Sequence, residues 1–183
     1  MGTPTHAAFL RAVNLGSTRK APSAQLVAAF EQAGFEDVAT FRTSGNVAFR
    51  ATGSSGKDKL TERIEAGLLE ELGFEVPVFL RTEAELEAIA AKRPFPAMAV
   101  ESSKGKVQVA LLLDKPPAAA KKRVMSLASQ DDRLTLDGSE LYWLPSGGTQ
   151  KSSLNMKAID TALGLNTLRT QGTIEAMAAK FFG

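Results

Sequence analysis

The sequence predicts an α+β protein of two consecutive βαββαβ units, joined by a linking helix and followed by a C-terminal helix. Short apolar runs alternate with amphipathic segments in the same order twice along the chain. In each repeat a glycine-containing turn joins two strands, at Ser44-Gly45 and at Asp137-Gly138. At 183 residues the chain can bury a sizeable core. We therefore expect one unit over 1–82, a link over 83–105 and a second unit with the last helix over 106–183.

The first unit begins with an apolar run over 7–13 that predicts a strand, and a polar loop over 14–22 follows it. Ser23 is the expected N-cap of a helix that ends at Gly34, where Phe35 folds back. One helix face is apolar and carries Leu26, Phe30 and Ala33.

A hairpin over 41–50 is the central feature of this unit, and a strand over 38–42 leads into it. Ser44-Gly45 is its expected turn, because glycine supplies the positive φ that a tight hairpin requires. Alternation along the strands directs Phe41, Val47 and Phe49 to the core. The other face then receives Arg42, Asn46 and Arg50.

A Gly/Ser loop over 51–57 precedes the second helix, which ends at Gly73. Its apolar residues fall at i+4 spacing and are Leu60, Ile64, Leu68 and Leu72. The fourth strand is expected over 76–81, at a sheet edge because Pro77 lies inside it. This order of elements is the ferredoxin-like arrangement, in which the strands lie in the order 4-1-3-2.

The linking helix has the signature of a capping box in Thr82 and Glu85. The prolines of 93–96 end it, and 101–105 reads as a linker. The pattern then recurs, with strands expected over 107–113, 134–136, 141–144 and 167–169, helices over 118–128 and 154–163, and a last helix striped by Ile174, Met177 and Phe181.

Composition excludes several kinds of site. There are no cysteines, so disulfides, thiolate nucleophiles and cysteine metal sites are absent. His6 is the single histidine, which rules out a histidine cluster, so we predict no metal and no cofactor. No apolar run reaches the ~20 residues of a membrane span, and the polar start over 1–6 is unlike a signal peptide. A cytoplasmic location is expected, and the net charge of +2 implies a polyanion partner only where basic residues cluster.

Five stretches of the sequence are similar to a known family: Arg11 to Gly16, Gly34-Phe35, Thr43 to Val47, Phe74 to Val78 and Pro94 to Pro96. Together they resemble the bacterial domain-of-unknown-function family 1697 over nearly the full length. Members typically open with Arg-Gly-Ile-Asn-Val-Gly and carry Gln-Ser-Gly-Asn at the hairpin. This chain has Ala12 for the Gly, Thr43 for the Gln, and Arg169 to Thr173 where Arg-Asn-Trp-Asn-Thr is common. The resemblance implies the fold and no activity.

The topology brings the loop over 14–22 beside the turn over 43–46, at one rim of the first sheet. Both helices cover one sheet face, so the other is expected to be open and to carry Phe9, Arg11, Arg42, Asn46, Arg50, Phe79 and Arg81. Neighbouring strands are ~4.8 Å apart, so Arg11, Arg42 and Asn46 can converge on one oxyanion. The predicted ligand-binding residues are Arg11, Asn14, Gly16, Arg42, Ser44, Gly45 and Asn46.

Other polar groups have simpler interpretations beside functional ones. A bare sheet face is often covered by another domain, so Arg50 and Arg81 are expected to pair with carboxylates across that interface. The stretch over 145–153 supplies secondary candidates for phosphate binding, Lys151, Ser152 and Ser153. It lacks P-loop spacing, so a surface loop with a serine N-cap is favoured. The run Lys121-Lys122-Arg123 indicates a solvated helix face.

The function that these patterns favour is a binding module for an anionic ligand, either a nucleotide or a nucleic acid, on the open face and rim of the first unit. Phe9 and Phe79 would stack bases there. One alternative is a small-phosphate hydrolase, by analogy of topology with acylphosphatases, in which Arg11 and Asn46 would take part. Another is a protein that acts through self-assembly or a partner interface. Whether it is an enzyme stays open, as does the oligomeric state, and no membrane partner is expected.

Overall fold

The computed structural model describes residues 2–14 and 16–183. The predictions for Met1 and Leu15 therefore lie outside the described residues. The strands are β1 His6–Leu10, β2 Glu36–Thr40, β3 Asn46–Arg50, β4 Val78–Thr82, β5 Gln108–Leu112, β6 Asp132–Asp137, β7 Glu140–Pro145 and β8 Asn166–Thr170. The helices are α1 Ser23–Gln32, α2 Lys57–Leu72, α3 Glu83–Ala91, α4 Ala97–Ser102, α5 Ala118–Met125, α6 Met156–Leu163 and α7 Gln171–Phe181.

The chain has the predicted α+β fold, with two four-stranded antiparallel sheets in βαββαβ-like units. The first sheet has the order β2-β3-β1-β4 and the second the order β6-β7-β5-β8. The predicted order 4-1-3-2 is thus confirmed, and β4, which follows Pro77, lies at an edge. One compact unit comprises the residues up to Glu87 together with Met177–Gly183, and the other is Ala88–Ala176. The division at 82 and 105 stays a prediction.

Helix α1 ends in the glycine motif that the sequence indicated. Gly34 has φ +82° and donates its N–H to the Glu31 carbonyl at 2.9 Å, while Phe35 donates to the Phe30 carbonyl at 3.1 Å. The two rings also contact each other, with centroids 6.0 Å apart. This is a Schellman ending with its hydrophobic contact. The expected cap at Ser23 is wrong, since Pro22 occupies the N-cap position and no side chain caps the helix.

Helices α1 and α2 cover one face of the first sheet and form its core. The expected stripe of α2 is buried at Leu60, Ile64 and Leu68. Gly67 permits the two helices to lie close together, since a Cβ there would stand 2.8 Å from the Ala29 carbonyl oxygen. Apolar side chains therefore pack the helices against the sheet, and a small residue permits the close contact between the two helices.

Edge strand β2 departs from regular pairing. Its register with β3 shifts between Glu36 and Ala39, where Asp37 has φ +50°. Arg50 forms ion pairs with Glu36 and with Asp37, the latter with Nε to Oδ2 at 2.6 Å. Arg50 therefore pairs with carboxylates at its own sheet edge, whereas the sequence predicted partners across an interface with another domain.

The second face of the first sheet is not open, which corrects the expectation. Phe9, Phe79 and Asn46 are 0% exposed, and Arg81 is 3% exposed. Phe9 and Phe79 are paired across β1 and β4, and monomeric proteins rarely leave large contiguous apolar surfaces exposed. Alternation along a strand identifies the residues that share a face, but it does not show whether that face reaches solvent. Phe9 and Phe79 are thus unavailable for base stacking.

In the second unit, Asp137 pairs with Glu140, so Gly138 and Ser139 form the two-residue hairpin loop, one residue later than predicted.

The capping box of α3 is confirmed, with the Thr82 N–H donating to Glu85 at 2.8 Å and the Glu85 N–H donating to the Thr82 hydroxyl at 3.3 Å. Helix α4 lies partly where a linker was expected. Among the described residues no helix is long and apolar enough to cross a membrane.

Candidate functional site

The candidate site lies where β1 ends and β3 begins. We call the segments 11–22 and 41–45 the basic rim. The Leu10 N–H donates to the Gly45 carbonyl at 2.8 Å, and Asn14 Nδ2 donates to the Thr43 carbonyl at 2.6 Å. The two segments therefore contact each other, which is the juxtaposition expected from strand order.

Asn14 organises the first segment through both of its side-chain groups. Its Oδ1 accepts the Ala21 N–H at 2.9 Å, and its backbone N–H donates to the Arg19 carbonyl at 2.7 Å. Together with the bond to Thr43, these contacts span the loop and bind it to the hairpin. Asn14 is thus placed as a residue that positions the rim, and its predicted contact with a ligand stays a prediction.

Arg19 fixes the other side of the loop. Its Nε donates to the Ala12 carbonyl at 3.1 Å, and its Nη2 donates to the Glu75 carbonyl at 2.5 Å. The guanidinium also lies 4.8 Å from the centre of the Phe74 ring, within the range of a cation–π contact. Sequence reasoning did not single out Arg19, and only the run Arg19-Lys20 hinted at it.

The rim concentrates left-handed backbone conformations. Ala12, Asn14 and Arg42 have φ of +58°, +57° and +57°, and Gly16 and Gly45 have φ of +65° and +70°. A non-glycine residue pays roughly 1–2 kcal/mol for this conformation. Such residues cluster where a fold holds a loop in one particular shape, often at a functional site. The glycine that family members typically carry at position 12 fits the φ that Ala12 adopts here.

Gly45 and Asn46 lock the hairpin end. Gly45 is buried, and a Cβ there would stand 2.5 Å from Val13 Cγ2. Asn46 Nδ2 donates to the Phe41 carbonyl at 3.0 Å and to the Ser44 hydroxyl at 2.9 Å. Both amide hydrogens are thus engaged in the loop. The connection runs over 41–45, longer than the predicted turn.

The rim is electropositive by composition. Its two segments contain four cations, Arg11, Arg19, Lys20 and Arg42, and no Asp or Glu. Arg42 is exposed and Arg11 is half-buried. Arg42 also lies over the Phe41 ring at 5.1 Å, and Lys180 of α7 lies over the same ring at 5.7 Å. Guanidinium and ammonium groups are the side chains that proteins use to bind oxyanions.

The predicted site residues thus have different places. The rim loops contain Asn14, Gly16, Ser44 and Gly45. Leu10 and Gly45 are joined by a backbone hydrogen bond; Arg11 directly follows Leu10, and Arg42 lies three residues before Gly45. Asn46 differs from the expected solvent-accessible group, since it is fully buried. An asparagine in this state is poorly suited to position a hydrolytic water, and the rim segments hold no histidine or carboxylate to act as a base.

The secondary candidates lie in the second unit, where Ser152 has a structural role. Its hydroxyl donates to Asp132 Oδ1 at 2.6 Å and accepts the Leu154 N–H at 3.0 Å. Trp143 Nε1 donates to the same carboxylate oxygen at 2.8 Å. The expected serine N-cap is wrong, because Asn155 caps α6. Lys151 and Ser153 are exposed.

Within residues 2–14 and 16–183, no group of three or more potential ligands is arranged to hold a metal ion.

A family model described as a protein of unknown function (DUF1697) matches residues 3–142. The solved structure of the conserved bacterial protein SP0830 from Streptococcus pneumoniae is similar at 20% identity and a TM-score of 0.73, covering 98% of this chain and 100% of that chain. At this identity the likeness shows the fold alone. No curated protein matches the chain.

Proposed function

The chain belongs to the DUF1697 family of proteins of unknown function, and we propose that it is a non-enzymatic module that binds phosphate groups of a nucleotide or nucleic acid at the basic rim. The observation that carries the proposal is the charge of the rim. Four cations and no carboxylate lie in two segments that are hydrogen-bonded to each other.

The roles within the rim follow from the contacts. The proposed phosphate ligands are Arg11, Lys20 and Arg42, of which Lys20 and Arg42 are exposed and Arg11 is half-buried. Arg19 donates to two backbone carbonyls and holds the loop. A guanidinium carries five N–H donors in a planar fork that matches two phosphate oxygens. Asn14, Gly45 and Asn46 hold the loops in shape. Preorganised loops reduce the entropy that binding costs.

Burial of Phe9 and Phe79 narrows the mode of binding. Without exposed rings on the sheet face, the protein is expected to read phosphates and not bases. Binding should then be insensitive to base sequence and strongly dependent on salt, because the contacts release counterions from the phosphates.

Fluorescence anisotropy with labelled single-stranded RNA, at a series of salt concentrations, tests the proposal. For single strands each phosphate contact contributes a slope of about −0.7 in a plot of log K against log salt. Replacing Arg11 and Arg42 together by Gln should therefore reduce the magnitude of the slope by about 1.4. The matched control is Lys121→Gln with Arg123→Gln, which removes the same charge from the outer face of α5.

Competition with a mononucleotide distinguishes the two sources of phosphate. If ADP binds with the same dependence on Arg11 and Arg42 and RNA does not, the ligand is a nucleotide. Absence of binding to both probes, or equal loss in the α5 control, would refute the proposal.

A further inference from the structure

A polar cavity in the second unit is independent of the basic rim. It has a volume of about 70 Å³ and lies between the end of α4, the start of β6 and the end of β7. Its lining includes Ser102 and Ser103 from the first segment, Gln130 and Arg133 from the second, and Leu144 and Ser146 from the third. One water needs roughly 10–15 Å³ on the same measure, so the cavity has room for a small polyatomic ion.

Hydrogen bonds to backbone groups hold the walls of the cavity in place. The Ser103 hydroxyl donates to the Pro145 carbonyl at 2.9 Å and accepts the Gly105 N–H at 3.0 Å. Gly105 lies so close to Pro145 that a Cβ would be 1.9 Å from the carbonyl oxygen. The next residue, Ser146, donates its N–H to the Asp131 carbonyl at 2.6 Å.

Alternation along β6 places Arg133 and the neighbouring Asp132 on opposite faces of the strand. Asp132, Leu134 and Leu136 are buried on the core side of β6, where Asp132 accepts from Trp143 and Ser152. Arg133 is exposed and lies on the other face, opposite Leu144 of β7. Among the described residues its guanidinium has no ion-pair partner, and no carboxylate belongs to the cavity lining.

The hydrogen-bond donors that line this cavity indicate which kind of ligand it can bind. Ser102 and Ser103 already donate to carbonyl oxygens, which leaves the guanidinium of Arg133, the amide of Gln130 and the hydroxyl of Ser146. These groups offer more N–H and O–H donors than the two oxygens of a carboxylate can accept. We propose that the cavity binds a small tetrahedral oxyanion of the phosphate class, with Arg133 as its charged ligand and Gln130 and Ser146 as neutral donors.

The test is a titration of the folded protein with inorganic phosphate, followed by NMR of the Arg133 Nε–H and the Gln130 side-chain amide. Both signals should shift along one saturable curve. Arg133→Gln should weaken binding about tenfold or more, since a hydrogen bond from a charged donor is lost. Acetate in place of phosphate should bind more weakly, and the thermal unfolding of the variant should be unchanged.

Two controls keep this cavity separate from the rim. Arg42→Gln should leave the phosphate response of Arg133 unaltered, and Arg123→Gln controls for the loss of one positive charge. If Arg133→Gln binds phosphate as the wild type does, or acetate saturates the cavity equally well, the assignment is wrong. Failure of RNA or ADP to bind the rim would not alter either result.

Discussion

Replacement of Gly45 by Ala tests how tightly the two rim segments are joined. Gly45 has φ +70°, so an alanine there costs roughly 1–2 kcal/mol for the left-handed conformation. Its Cβ would also lie 2.5 Å from Val13 Cγ2 and 3.0 Å from Leu10 Cβ, inside the core. Overpacking of this kind costs about 1–3 kcal/mol, so the free energy of unfolding should fall by about 2–5 kcal/mol.

Gly16 offers a matched control for Gly45. It has φ +65°, and nothing lies within 4 Å of a Cβ built on it. Gly16→Ala should therefore show only the backbone cost of about 1–2 kcal/mol. Urea unfolding followed by circular dichroism, with midpoint and slope both fitted, measures the two losses. Equal losses for the two variants would refute the close approach of the hairpin to β1.

Three further predictions concern single positions. Ala12→Gly should raise the free energy of unfolding by about 0.5–1 kcal/mol in a urea titration, because glycine adopts a φ of +58° without strain. A variant less stable than the wild type would show that Ala12 is not strained. Burial and, to a lesser extent, Lys57 lower the pKa of His6, which Glu85 opposes. Stability should therefore decline as pH falls below the ordinary pKa of 6.5, and His6→Gln should remove the decline measured between pH 7 and 5. Asp132→Ala should cost about 2–4 kcal/mol, because the Trp143 and Ser152 donors lose their acceptor, and Asp132→Asn should cost less in the same unfolding assay.

The order and pairing of the strands were predictable because they depend on periodicity and turn residues. The stripe of α2 and the endings at Gly34 and Gly73 were visible for the same reason. The shape of the basic rim could not be predicted from the sequence. The loop after Thr40 depends on two hydrogen bonds from Asn46, which donates to atoms of Phe41 and Ser44, and no periodicity encodes such contacts.

The end of β1 and the solvent access of the second sheet face could not be predicted from the sequence either. β1 ends at Leu10, not at Val13, because the chain turns through a left-handed Ala12 that most sequences would avoid. Alternation correctly directed Val47 and Phe49 to the core, but Phe41 is outside that core, is only partly buried and packs on Phe181. Alternation also could not show that Phe9 and Phe79 are buried on the opposite face. Arg19 donates to the backbone carbonyl of Glu75, which is 56 residues along the chain, and residue types do not reveal such a partner.

A double-mutant cycle on Arg11 and Arg42 tests the proposed site most directly. The measured quantity is the Kd for a phosphate-bearing mononucleotide in the wild type, in Arg11→Gln, in Arg42→Gln and in the double variant. Two groups that bind one phosphate should show a coupling energy of at least about 0.5 kcal/mol, whereas the pair Arg42 and Arg123 should be additive within about 0.5 kcal/mol. Additive losses for Arg11 and Arg42, or a Kd that neither substitution changes, would contradict a shared phosphate site at the basic rim.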